Sequence, residues 1–158
     1  MEFKKGEIEG VIIRPLKKHI DERGWLCELF RQDEIEETIM PVMSYISQTL
    51  PGIVRGPHEH KEQTDYFAFI GPGNFKIYLW DNRKDSSTFG NRQIIYAGED
   101  NPAVIIIPPG VVHAYKNIST KPGLVFNAPN KLYAGRGRKE PVDEVRWENK
   151  ENSPFIID

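Results

Sequence analysis

Apolar residues along this chain come in short runs, each broken by a residue that turns the backbone. Residues 11–15, 25–31, 42–50, 66–70, 75–80, 92–96, 104–107, 111–117 and 124–128 read as strands. Pro51-Gly52, Gly71-Pro72-Gly73, Asp81-Asn82, Asn101-Pro102, Pro108-Pro109-Gly110 and Pro122-Gly123 separate them, each supplying a fixed φ or tolerating a positive one. Helical spacing is confined to residues 32–40, which Pro41 ends. Short strands at this spacing predict an all-β sandwich or jelly-roll barrel with one short helix and a loop-rich C-terminal tail. Phe67 and Phe69, then Phe75, Ile77 and Leu79, alternate so as to share one face of two strands joined by the Gly71-Pro72-Gly73 turn, and are expected in the core. From Lys131 the pattern loosens. The charged stretch 136–146 reads as a surface excursion, and Trp147 with Pro154-Phe155-Ile156-Ile157 is expected to pack back on the barrel.

The 158 residues, with 39% apolar and 11% aromatic, suffice for one core, so residues 1–158 are read as a single domain. Charge narrows the partners: 21 Lys+Arg against 23 Asp+Glu give a net charge of -2, with no long basic run to hold nucleic acid or an anionic membrane. A small molecule is the expected partner. Cys27 is the one cysteine and cannot form an internal disulfide, and the opening MEFKKGEIEG has no apolar signal stretch; the chain is read as cytoplasmic. The longest apolar run, around residues 104–107, falls far short of the roughly 20 residues that cross a bilayer.

Three of the four histidines, His58, His60 and His113, lie beside turns. His58 and His60 are two apart, which on a strand points both to one face, and one site could hold all three. Gly52, His58, His60 and Asp65 resemble the first cupin motif, and Pro108-Pro109-Gly110 with His113 and Asn117 resembles the second. In metal-bearing cupins that pattern implies a divalent ion held by His58, His60, Asp65 and His113, with Asp65 where a longer Glu is usual. The other reading of these histidines is that they satisfy polar groups in the barrel mouth.

A second resemblance uses more of the chain. Asp21-Glu-Arg23-Gly24-Trp25, followed by Glu28 and Phe30-Arg31, is similar to the entry motif of dTDP-4-dehydrorhamnose 3,5-epimerases. Gly52-Ile-Val-Arg55-Gly56-Pro57-His58, the stretch from Asp81 through Arg83, Ser86 and Thr88 to Gly90, and Ile107-Pro108-Pro109-Gly110 with His113 and Tyr115 resemble that family's next three motifs, in its order. The chain is identified as a short, divergent member. The resemblance implies a cupin-type jelly roll and an epimerase that inverts C3, C5 or one of them in a 4-keto-6-deoxy nucleoside diphosphate sugar, for deoxysugar and surface polysaccharide biosynthesis. It implies no cofactor and no metal, with a homodimer whose N-terminal strands cross to the partner.

Removing a proton next to a ketone and returning one to the other face needs a base, an opposed acid and a group to hold the enolate oxygen. By resemblance His58 is the base and Tyr133 the acid. Arg55 and Arg23 hold the phosphates through paired guanidinium bonds. Trp25 and Glu28 lie near the nucleobase and ribose, and His60 and His113 line the substrate site. Simpler roles stand beside these: Arg23 with Glu28 as a surface pair, Trp25 as core, and Arg55 paired with Asp81. The family's lysine for the enolate oxygen has no match, since Thr64-Asp65-Tyr66-Phe67 occupies that stretch and Lys61 comes too early. His60 stands for a glutamine, and Met43 and Tyr45 for a polar pair. Little chain remains for the aspartate that orients the family's histidine; Asp81 or Asp143 could take its place. The rival classes are a metal-dependent cupin enzyme and a non-catalytic nucleotide-sugar-binding module.

Overall fold

The structure, a computed structural model, describes residues 2–158. Among these residues the strands are β1 (Lys4–Lys5), β2 (Ile12–Pro15), β3 (His19–Asp21), β4 (Gly24–Leu26), β5 (Tyr45–Thr49), β6 (Val54–Glu59) and β7 (Asp65–Phe69). They continue as β8 (Asn74–Asp81), β9 (Asn91–Gly98), β10 (Ala103–Ile107), β11 (Val111–Asn117), β12 (Gly123–Asn127) and β13 (Val145–Arg146). A six-stranded sheet in the order β1-β9-β8-β11-β6-β13 faces a five-stranded sheet in the order β2-β10-β7-β12-β5, and β3 with β4 forms a separate hairpin. The all-β reading therefore holds.

Side chains from both sheets meet in the space between them: Phe67 and Phe69 of β7, Phe75, Ile77 and Leu79 of β8, Ile105 of β10 and Tyr115 of β11. The alternation read from the sequence is correct, but the connection is not a hairpin. β7 and β8 belong to different sheets, so the Gly71-Pro72-Gly73 turn carries the chain across the sandwich and the two apolar rows face each other.

The even positions are buried too. Tyr66, Ala68, Val104 and Ile106 on the outer face of the smaller sheet are covered by Leu29, Ile35 and Ile39. Tyr78, Trp80, Val112 and Ala114 on the outer face of the larger sheet are covered by Phe155 and Trp147. Strands buried on both faces lose their polar alternation, which is why β7 and β10 are apolar almost throughout. The tail packs back as expected.

The single helix expected over 32–40 is instead two short 3-10 turns, Gln32–Glu34 and Glu37–Ile39. Neither has a side-chain cap, and Ile35 between them is extended at φ -125° and ψ 139°, because docking Ile35 and Ile39 onto the sheet outweighs helical continuity. The run 25–31 is strand only through Leu26. β6 is a strand that the pattern did not reveal, since Gly56 and Pro57 interrupt it and its residues are mostly polar.

Candidate active site

β6 and β11 are antiparallel neighbours. His113 sits opposite His58 and Tyr115 opposite Arg55, with one shift of register between these pairs. The irregularity falls at Gly56-Pro57 and inverts the facing of the strand. Without it, Arg55 and His58, three apart, would point to opposite faces; with it, Arg55, His58 and His60 all line one cavity of about 940 Å³. Gly56 has φ +93°, and a Cβ there would stand 2.6 Å from the carbonyl oxygen of His113, so glycine alone fits.

His58 is held from the C-terminal segment. β13 pairs with β6, placing Arg146 opposite His58, and the 3-10 turn Trp147–Asn149 follows at once. Trp147 Nε1 donates to Glu59 Oε2 at 2.8 Å, pinning this turn to β6. Glu148 Oε1 then lies 2.7 Å from His58 Nε2, whereas Glu144 Oε1 is 3.6 Å from Nδ1, beyond good hydrogen-bond length. A carboxylate only accepts, so Nε2 carries the hydrogen, and in the neutral ring the lone pair is on Nδ1. The carboxylate in contact with His58 is therefore that of Glu148, and neither Asp81 nor Asp143 reaches the ring. Asp81 is occupied by Arg83, Ser86 and Thr88. Asp143 accepts the backbone N–H groups of Lys61, Glu62 and Gln63.

Beneath His58 is a buried polar group centred on Asp65, the first residue of β7. Its Oδ1 accepts from Gln63 Nε2 and Asn127 Nδ2, each at 2.9 Å. Its Oδ2 lies 3.1 Å from His60 Nε2 and 3.2 Å from His113 Nε2. Burial disfavours charge on His60, yet Asp65 more than offsets it and raises the imidazole to about 9. Burial likewise opposes charge on Asp65, but the two histidines bring it down to about 2. Burial dominates at His113 and lowers it to about 4, leaving that ring neutral at pH 7. One ligand atom each from His60, Asp65 and His113 can lie within 4.8 Å of one another, a nitrogen and oxygen set that suits a divalent ion. His58, the fourth member of the metal reading, lies outside that cluster and is turned to Glu148.

The remaining expectations divide. Tyr133 lines the cavity, with its backbone N–H directed to Met43 Sδ. Arg55 lines it too and does not pair with Asp81: its Nε donates to Thr49 Oγ1 at 3.0 Å and a terminal nitrogen donates to the Gln48 carbonyl oxygen. The stretch 136–146 is no mere excursion, because Arg136, Glu140 and residues through Arg146 form one cavity wall. Arg23, Trp25 and Glu28 are absent from the cavity lining. They lie on or just after the β3–β4 hairpin, where Arg23 pairs with Asp21 and Glu28 with Arg31 rather than with each other. Trp25 is not core: it stays 50% exposed under the Lys18 ammonium.

Comparison with known proteins agrees with this architecture. A family profile described as dTDP-4-dehydrorhamnose 3,5-epimerase matches residues 5–151. The probable low-salt glycan biosynthesis epimerase Agl13 of Haloferax volcanii is 42% identical over 127 residues, 80% of this chain and 81% of that protein. The spore coat polysaccharide biosynthesis protein SpsL of Bacillus subtilis is 38% identical over 115 residues, 73% of this chain and 75% of that one. The crystal structure of a dTDP sugar isomerase from Desulfovibrio desulfuricans G20 superposes with a TM-score of 0.81 at 25% identity, covering 94% of this chain and 89% of that chain. With its histidine-lined cavity and two-sheet barrel, the chain belongs to the dTDP-4-dehydrorhamnose 3,5-epimerase family, and it is an epimerase of the isomerase class.

Proposed function

We propose that this protein inverts one or both carbons flanking the C4 ketone of a 4-keto-6-deoxy nucleoside diphosphate sugar, in the cytoplasm, as a step toward a surface glycan. The observation that carries this reading is the 2.7 Å contact that Glu148 makes with Nε2 of His58, a residue that lines the same cavity as Tyr133. Glu148 orients the imidazole and favours the imidazolium once it forms. Nδ1 is then the atom that takes the proton from carbon, while the Tyr133 phenol returns one to the opposite face. Arg55 is anchored through two of its nitrogens, which leaves its fork stiff beside the space for a diphosphate. His60 and His113 form the floor beneath the sugar.

Glu148→Gln tests the arrangement without changing side-chain length. It is expected to lower kcat on dTDP-4-keto-6-deoxyglucose by roughly 10²–10⁴, with KM and dTDP affinity unchanged, by analogy with loss of the orienting acid in a catalytic triad. A variant with undiminished kcat contradicts the role given to Glu148.

The second part of the proposal is a homodimer in which Arg23, Trp25 and Glu28 serve the neighbour's cavity. Its support is the β3–β4 hairpin, where Ile20 and Trp25 lie opposite each other on one face at 78% and 50% exposed, an apolar pair left largely open in a single chain. Sedimentation at micromolar concentration is expected to give a dimer; a monomer removes the shared site.

A further inference from the structure

If the reaction is the one just proposed, negative charge must collect on the C4 oxygen when the neighbouring carbon loses its proton, and a donor has to be waiting there. The lysine that the family resemblance would supply is missing, and Asp65 in that stretch is itself an anion. The inward row of β5 offers an alternative. Tyr45, Ser47 and Thr49 point toward the interior in turn: Thr49 receives Arg55, Ser47 meets the Tyr115 hydroxyl at 3.1 Å, and Tyr45 lines the cavity.

Tyr45 has a defined hydrogen-bond role. Asn127, opposite it on β12, accepts the Tyr66 backbone N–H on Oδ1 at 3.0 Å. Its Nδ2 donates to Asp65 Oδ1 at 2.9 Å and to the Tyr45 hydroxyl oxygen at 3.0 Å. Because the Asn127 amide is fixed from both sides, the Tyr45 oxygen is an acceptor toward it and keeps its own hydrogen. Among the described residues that hydrogen meets no acceptor, so it is available to the cavity. Burial of the hydroxyl end outweighs the Asn127 hydrogen bond and pushes the phenol above its ordinary pKa, although the residue as a whole is 44% exposed, so Tyr45 stays a donor in the working range. A hydroxyl that accepts an N–H is also a better donor in its turn.

We propose that Tyr45 donates its phenolic hydrogen bond to the C4 ketone oxygen and holds the enolate, taking the place of the missing cation. As His58 Nδ1 removes the proton, the C–H pair becomes the new C=C bond and the C=O π pair moves onto the oxygen facing Tyr45. Protonation of the same carbon from Tyr133 reverses the flow, so nothing is oxidised or reduced.

The test is Tyr45→Phe beside Tyr133→Phe, with dTDP-4-keto-6-deoxyglucose in deuterium oxide. An enolate holder acts on every proton removal, so Tyr45→Phe is expected to slow deuterium uptake and epimer formation by the same factor, about 10²–10³. KM and dTDP affinity are expected to stay as in the wild type, and the melting temperature to fall by only a few degrees, because the buried Asn127 Nδ2 loses one of its two acceptors. Tyr133→Phe is expected to slow epimer formation more than uptake, because the His58 face can still exchange. Wild-type uptake by Tyr45→Phe overturns the proposal, as does a loss traced to weaker dTDP binding or to a variant unfolded at the assay temperature. A wild-type protein that takes up no deuterium overturns the underlying reaction instead, and this proposal with it.

Discussion

His58→Ala is expected to leave a folded protein without epimerase activity. In the proposed mechanism position 58 carries the atom that removes the proton, and loss of a positioned general base costs about 10²–10⁴ in rate. The fold withstands the change because the imidazole sits at the mouth: its side chain is 24% exposed and the facing Glu144 and Glu148 side chains are 17% and 32% exposed. Both carboxylates therefore reach water when their partner is gone, and no buried charge is stranded. Circular dichroism and melting temperature measured with the turnover assay separate the two effects. Unfolding of His58→Ala identifies the residue as structural, and retained turnover shows that another group is the base.

Phe69→Ala is expected to behave in the opposite way, with stability as the casualty. Phe69 is 1% exposed and packs between Phe67, Phe75 and Tyr115 at ring-centroid distances of 6.1, 5.5 and 5.7 Å, in tilted and edge geometries. It bridges the two sheets, so truncation opens a cavity that neither sheet can close alone. The cost is about 3–5 kcal/mol. For a domain of this size that corresponds to a fall in melting temperature of roughly 6–20 °C. Calorimetry reads it directly; a shift near zero would show that the aromatic layer repacks and is not the joint between the sheets.

These two positions also mark what can be read from sequence and what cannot. The Phe67 and Phe69 row and the Phe75, Ile77 and Leu79 row are visible because period-two alternation is local, and the structure places all five between the sheets. That their strands lie in different sheets is not local information: a Gly-Pro-Gly turn fits a hairpin as well as a crossing. β6 is concealed by Gly56-Pro57, the irregularity that turns Arg55 and His58 to the same side. The histidine cluster was legible through its spacing. The carboxylate in contact with His58 was not, since Glu148 is 90 positions from His58 and lies in a stretch holding Asp143, Glu144 and Glu148 with no periodicity to rank them. The one available hint was the neighbouring Trp147, an aromatic residue in a charged tail and therefore one with something to anchor. From sequence alone Tyr45 stands out only as a departure from the family pattern; the role proposed for it depends on Asn127, which the pairing of β5 with β12 brings opposite.

The central claim is that this cavity removes hydrogen from carbon next to a ketone, and the mass of a recovered nucleotide sugar reports on it directly. Incubated with dTDP-4-keto-6-deoxyglucose in deuterium oxide, the wild-type protein is expected to return the sugar with deuterium at C3, C5 or both. Sugar that binds and comes back carrying only its original hydrogen at those carbons, with other nucleotide carriers giving the same result, would contradict it.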